Sequence, residues 1–336
     1  MTTTTPTTAA DTKGSFPHLH SPSHMHRYTQ ESVLATALFG DVLLCKDKTT
    51  GERVAIKRMQ VAAAAAKTVV GTARHVSEDI KVEKHVNHVL SAKGGHPHVL
   101  RMRADFEDAG YEHFVLDYCP TGELFDELSA AGSFDAATAL AYFRQIVQGL
   151  SFMHSRGIAH RDVSLENVLL DAAHTCYVCD FGLAATTSQW HMDSVGKAFY
   201  MAPEVVSGLL YDATKADVWS LGVVLFMMLT GAPLFSVAND MDARYTYLKT
   251  HGLKAIVQAW HLNIEPRLVS LLEGMLACDP TRRMSMADVA KHPCVAVVAK
   301  QEATQPTKKT TSFRQTVKTF FRFKSFKVVD AHTMAV

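Results

Sequence analysis

Asp162, Asn167, Asp180 and Lys57 are the side chains of this 336-residue sequence whose types and spacing could do chemistry together. Asp162 follows His160-Arg161 and precedes Asn167 by five positions. A carboxylate so placed can meet the proton of a hydroxyl while the nearby carboxamide oxygen holds a divalent cation beside it. Asp180, in Asp180-Phe181-Gly182, offers a second metal carboxylate, an oxygen donor of the hard kind that Mg2+ takes. Lys57 ends the run Val54-Ala55-Ile56-Lys57. A strand there fixes the direction of its ammonium, which can then reach phosphate oxygens. Such a set suits transfer of a phosphoryl group, where positioning and electrostatics matter more than one reactive atom.

Elements able to hold these groups are legible around them. Leu34 to Val42 and the apolar Val42-Leu43-Leu44, then the turn Lys48-Thr49-Thr50-Gly51 and Val54 to Lys57, read as a hairpin. Ala62 to Ala66 has high helix propensity and reads as part of an insertion before a helix over Asp79 to Leu90. Val99 to Met102 and Phe114-Val115-Leu116 read as strands, and Asp117 to Glu123 breaks the pattern as a linker would. Asp135 to Ser155 places Ala139, Tyr142, Phe143, Ile146, Val147, Leu150 and Met153 on one face of a long helix. The apolar run Leu221 to Leu229 suits a buried helix and is too short to span a bilayer.

Composition bounds the rest. Hydrophobic residues at 47% and charged residues at 20% are those of a globular chain, long enough for two moderate cores. The net charge of +1 gives no global pull toward nucleic acid or membrane. Six cysteines are too sparse for a disulfide framework, which favours a reducing, intracellular setting; a cytoplasmic, soluble protein is expected, with the nucleus also open. Cys176-Tyr177-Val178-Cys179 has metal-site spacing but no second pair to complete it, and reads as the edge of a strand or turn before Asp180.

These motifs, with Ala202-Pro203-Glu204, Asp217-Val218-Trp219-Ser220-Leu221-Gly222 and Asp279-Pro280-Thr281-Arg282-Arg283 in that order, resemble the eukaryotic protein kinases from about Tyr28 to Val297. The pattern is that of Ser/Thr kinases, nearest the calcium/calmodulin-dependent and related basophilic ones. The resemblance implies an α+β, two-lobe fold. The N-lobe (28–117) is a small antiparallel sheet plus one helix, followed by a hinge (117–121) and a larger, mainly helical C-lobe (122–297). It implies ATP in the cleft, Lys57 on the α- and β-phosphates, Mg2+ on Asn167 and Asp180, and Asp162 as catalytic base toward Ser/Thr hydroxyls of protein substrates. Lys57 needs a glutamate partner; Glu83 fits the count to Leu90, and Glu78 is the alternative. By the same resemblance, backbone groups of Asp117 and Cys119 are expected to meet the adenine edge, with Leu116 at the gatekeeper position. Leu34, Val42, Ala55 and Leu169 complete the nucleotide-binding residues. Glu123 matches a ribose and basic-substrate position, or is a first-turn helix acid. Arg283 is the expected ion-pair partner of Glu204.

Several positions depart from the family. Ala35 and Ala37 replace two glycines of the phosphate loop, where a Cβ restricts close approach, and only Gly40 remains. With Glu83 paired, Asn87 takes an apolar position. Ser164 stands where a lysine usually lies beside the γ-phosphate, and Lys197 stands where a threonine is usual. Lys197 could supply the missing charge. Asp193 occupies the usual activation-loop phosphothreonine position and could pair Arg161 without phosphorylation. A kinase-fold scaffold that catalyses little is the competing reading, drawn from Ala35, Ala37, Ser164 and Asn87.

The ends differ in composition. Residues 1–27 are Thr-, Ser-, Pro- and His-rich and read as disordered. In 298–336, seven Lys and Arg between Lys308 and Lys327 interleave with Phe313, Val317, Phe320 and Phe326. Residues 307–328 read as a calmodulin-type target, a membrane-surface helix, an autoinhibitory segment or a basic tail. Glu123 and Glu166 hint at basic residues near the substrate hydroxyl, although Met227 leaves the acidic cluster incomplete.

Overall fold

A computed structural model describes residues 24–72 and 74–296. The basic aromatic segment therefore lies outside the described residues. His24–Arg27 form one 3-10 turn where composition suggests disorder: Arg27 pairs with Asp47 at 2.6 Å and His24 stacks on Phe106, contacts that composition does not reveal.

Alternation of apolar and polar residues builds the first layer. Strands β1 (Tyr28–Ala37), β2 (Gly40–Asp47), β3 (Arg53–Gln60), β4 (Met102–Asp108) and β5 (Tyr111–Asp117) form an antiparallel sheet in the order β1-β2-β3-β5-β4. Leu43, Cys45, Val54, Ile56 and Val115 fill one buried cluster of this lobe. The strand expected from Val99 begins only at Met102, because Val99 instead bridges Val178 of the other lobe.

Between β3 and β4 lie α1 (Val61–Ala65) and α2 (Ile80–Ser91). Asp79 starts α2 by accepting the Lys81 and Val82 amides. Two contacts seat α2 on the sheet: Lys84 pairs with Asp105 at 2.7 Å and with Glu112 at 3.1 Å. The insertion before α2 reaches the β1–β2 tip, where the Val70 amide donates to the Leu38 carbonyl at 3.0 Å. Leu38 and Phe39 are consequently buried with Met59, Ala64, Val76 and Phe114. Gly40 is retained for packing, since a Cβ there would stand 2.2 Å from the Arg58 carbonyl oxygen.

The second lobe begins with β6 (Gly122–Glu123), α3 (Leu124–Ala131) and α4 (Ala136–Ser155), the last capped by Asp135. Then come β7 (Ile158–Ala159), β8 (Val168–Leu170), β9 (Cys176–Val178) and β10 (Ala185–Thr186). Helices α5 (Pro203–Val206), α6 (Ala213–Thr230), α7 (Ala243–Ala259), α8 (Pro266–Met275) and α9 (Met286–Lys291) complete it. Helix α6 is apolar all round, and every residue from Ala216 to Met228 is buried, so it is the axis of the large core. It starts at Ala213, ahead of Asp217, because Asp212 caps it.

Glu204 and Arg283 meet inside this lobe, as expected, through paired contacts of 2.6 and 2.9 Å. The guanidinium also donates to the Ala277 and Lys215 carbonyls and lies 5.0 Å from the Trp219 ring centroid. A buried charge left alone is costly. Arg283→Met is expected to lower unfolding stability by about 3–5 kcal/mol, read from urea denaturation midpoints.

Candidate active site

The site is assembled by one carboxylate that the motif reading passed over. Asp217, on the buried face of α6, accepts the His160 amide at Oδ2 and the Arg161 amide at Oδ1, both at 2.8 Å. His154 approaches Oδ2 at 2.8 Å. Burial alone would raise the pKa of Asp217, but the hydrogen bond and charge of His154 and the contacts with His160 outweigh it and hold the carboxyl below its ordinary value. These contacts keep Arg161 at a φ of 64°, a left-handed conformation unusual for a long side chain. His160 takes the Asp162 amide at Nδ1 (3.2 Å) and meets the Cys179 carbonyl at Nε2 (3.0 Å). With Nδ1 accepting, Nε2 is the nitrogen that donates. An ionisable residue amid an apolar helix was the available signal for Asp217, since a buried charge requires partners.

Asp162 and Asn167 come together as their spacing suggests. The Asn167 carboxamide nitrogen donates to the Asp162 carbonyl at 2.8 Å and to its carboxylate at 2.7 Å. Both partners are acceptors, so the amide nitrogen faces them and Oδ1 remains for a cation. The Cys179 amide donates to the Asn167 carbonyl at 3.0 Å, bringing the residue before Asp180 against the loop. Asp180 has a φ of 65°, which aspartate tolerates. Asn167 Oδ1 and the Asp180 carboxylate are a hard-oxygen donor set that fits Mg2+.

Lys57 joins the two lobes. Its ammonium lies 2.6 Å from Glu83 and 3.2 Å from Asp180. Burial alone would lower its pKa, but Asp180, Glu83 and Glu78 prevail and raise it, so Lys57 stays charged. Glu83, rather than the alternative Glu78, is the ion-pair partner. Glu78 instead lies against Gly182, where a Cβ would come within 3.2 Å of its side chain. The polar Asn87 is accommodated in the buried face by donating to the Glu83 carbonyl at 3.0 Å.

The other expected nucleotide contacts fall into two groups. Ala55 pairs in register with Leu116, and Val42 with Lys57, on the sheet side. Leu169 pairs with Glu123 on the opposite side. Cys119, Cys179 and Leu100 form a buried cluster against which Leu116 and Leu169 pack. Leu34, 43% exposed, lies at a β-bulge between Val33 and Ala35 and is drawn into none of these clusters. Asp117 turns its carboxylate to Arg101 and Arg103 and gives its amide to the Arg101 carbonyl. Cys176 lies in β9, and burial drives the thiols of both Cys176 and Cys179 upward in pKa, which disfavours the thiolate a metal needs.

The two departures flagged in the sequence also meet here. The Lys197 ammonium donates to Asp162 at 2.8 Å and to the Ser164 hydroxyl at 2.9 Å. Arg161 reaches Asp193 at 3.1 Å and the Leu183 carbonyl at 2.7 Å. Residues 28–295 match the family described as the protein kinase domain. The chain belongs to the protein kinase family.

Curated relatives agree. Maternal embryonic leucine zipper kinase of Danio rerio is 32% identical over 275 residues, which is 81% of this chain and 38% of that protein. The Xenopus tropicalis protein of that name is 33% identical over 270 residues, 79% of this chain and 38% of its own length. Serine/threonine-protein kinase GIN4 of Saccharomyces cerevisiae is 33% identical over 261 residues, 76% of this chain and 22% of its own. The alignments thus cover well under half of these relatives. Membership carries nucleotide and divalent-metal use as general properties of the kinase domain, and the fold is the two-lobe one expected.

Asp217 gives a test of how this kinase holds its loop. Removing it strands two amide donors at about 1–3 kcal/mol each, so Asp217→Ala should lose roughly 2–6 kcal/mol of unfolding stability near neutral pH. Its folded-state pKa lies below the unfolded one, so the charge-dependent part is present above the unfolded value of about 4 and is lost as pH falls through the folded value. Urea melts across pH should therefore show the gap between wild type and Asp217→Ala narrowing on the acid side of about pH 4.

Proposed function

We propose that this chain transfers the γ-phosphoryl group of ATP to Ser/Thr hydroxyls of protein substrates. The observation that carries this reading is the joining of Lys57, Glu83 and Asp180 across the cleft from a loop in which Asn167 fixes the Asp162 carboxylate. Lys57 contacts the α- and β-phosphates, and Glu83 holds it there. Asp162 orients the substrate hydroxyl and receives its proton as the oxygen–phosphorus bond forms. Asn167 Oδ1 and the Asp180 carboxylate would hold Mg2+, which would supply positive charge against the phosphate oxygens. The Asp117 carbonyl and the Cys119 backbone receive the adenine edge between Ala55, Val42 and Leu169, with Leu34 at the rim and Glu123 toward the ribose.

The competing reading of a non-catalytic scaffold drew on Ala35, Ala37, Ser164 and Asn87. The satisfied amide of Asn87 and the cation beside Ser164 weaken that support. We also place the kinase nearest the calcium/calmodulin-dependent type on its sequence pattern, acting in the cytoplasm on substrates with basic residues near the hydroxyl. Contact of 307–328 with calmodulin or a membrane surface belongs to the same proposal. Incubation with MgATP and a panel of basic peptides should yield phosphoserine or phosphothreonine. Asp162→Asn should lower kcat by roughly 10²–10⁴, the usual worth of a general base; equal turnover in both proteins sinks the catalytic reading.

Asp193 makes a second expectation concrete. Its carboxylate already occupies Arg161, and Tyr211 donates to its backbone carbonyl at 3.0 Å. The kinase is therefore proposed to be active without a phosphate on the activation segment. Phosphatase treatment should leave kcat unchanged, whereas Asp193→Ala should lower it by no more than about fivefold, the scale of an exposed ion pair.

A further inference from the structure

Lys197 takes no part in the transfer proposed above, yet its side chain is only 17% exposed at the centre of the site. It follows Gly196, where the chain runs so close to the catalytic loop that a Cβ would stand 2.9 Å from the Arg161 carbonyl oxygen. The Lys197 amide donates to Asp162 Oδ1 at 3.1 Å. Its ammonium donates to Asp162 Oδ2 at 2.8 Å and to Ser164 Oγ at 2.9 Å. Burial would lower its pKa, but the nearby carboxylates of Asp162, Glu166 and Asp180 raise it and keep it charged. Of the three ammonium protons, Asp162 and Ser164 take two, and the third has no acceptor among the described residues.

A purely structural clamp would not need this side chain. The backbone amide of Lys197 already ties the activation segment to Asp162. Burying a lysine for the same purpose adds desolvation and loses rotamer freedom. The ammonium touches the proton acceptor and lies within electrostatic range of Asp180. Negative charge on a transferring phosphoryl group is spread over its three equatorial oxygens in this same region.

We propose that Lys197 is the catalytic cation of the transferring phosphoryl group, carried by the activation segment and aimed by the Ser164 hydroxyl. This rests on the kinase reading above. During transfer the bond from the γ-phosphorus to the β–γ bridging oxygen breaks, the substrate oxygen bonds to phosphorus, and the hydroxyl proton goes to Asp162. Lys197 stays protonated and makes no covalent bond. Its free donor meets an equatorial γ-oxygen, while Ser164 keeps the ammonium from collapsing wholly onto Asp162. A cation on this segment, rather than on the catalytic loop, makes the chemical step depend on the segment being docked.

The test compares Lys197→Met, Lys197→Thr and the double variant Ser164→Lys/Lys197→Thr with wild type. The measurements are kcat with MgATP, the rate ratio of ATP to its γ-thio analogue, and ADP affinity by calorimetry. Lys197→Met should lose at least about 100-fold in kcat, the worth of one donor to developing charge, while ADP affinity stays within about twofold. The thio ratio should shrink in Lys197→Met, because the oxygen contact that sulfur weakens is gone. Adding Ser164→Lys to Lys197→Thr should restore at least about tenfold in kcat by returning the charge from the loop. Near-normal kcat in Lys197→Met overturns the inference. So does a parallel loss of ADP affinity with an unchanged thio ratio and no recovery in the double variant, which is the behaviour of a clamp. A wild-type chain without MgATP-dependent transfer overturns the kinase reading itself.

Discussion

One buried carboxylate carries the geometry of this site. Asp217 lies on the most deeply packed helix of the molecule and fixes two consecutive amides of the catalytic loop. The loop could not otherwise hold Arg161 in a left-handed backbone, because L residues with long side chains avoid it. From that bend the loop points in two directions. Arg161 reaches outward to the activation segment through Asp193 and Leu183, and Asp162 reaches inward to Asn167 and Lys197. The rigidity of the α6 core is thereby passed to Asp162 and Asn167, with few freely rotating bonds between.

The opposite wall of the cleft is held by a different device. Helix α2 is fixed to its sheet by Lys84, to the other lobe by the Asp79 amide on the Gly182 carbonyl, and to β3 by Glu83 on Lys57. These three attachments leave the helix little room to rotate. Electrostatics and packing agree here: the same face that carries Glu83 buries Val86 and Leu90 in the large core with Phe181.

What the sequence revealed depended on how local each feature was. Asp162 and Asn167 share one loop, and their spacing alone placed them in contact. Glu83 was reachable by counting to Leu90, because both lie on one helix, which Asp79 starts. Asp217 was visible only as part of an apolar motif, and its partners His160 and Arg161 lie 56 to 57 residues away. Lys197 stood out as an unusual residue, but that its ammonium bridges Asp162 and Ser164 follows from Gly196 and the path of the segment. Nor could the alanines at the end of β1 be weighed alone, since burial of Leu38 and Phe39 beside them depends on the insertion after β3, which packs on them from elsewhere in the chain.

That packing changes what the missing glycines mean. A glycine-rich turn is flexible before it meets a ligand and loses that freedom on closing over it. Here the tip is anchored by two buried side chains and by the Val70 amide, and alanine narrows the conformations left to its flanks. The entropy of ordering this hairpin is spent when the chain folds, so a nucleotide meets a roof whose shape is already set. What enters beneath this roof must then fit a surface that is already stiff.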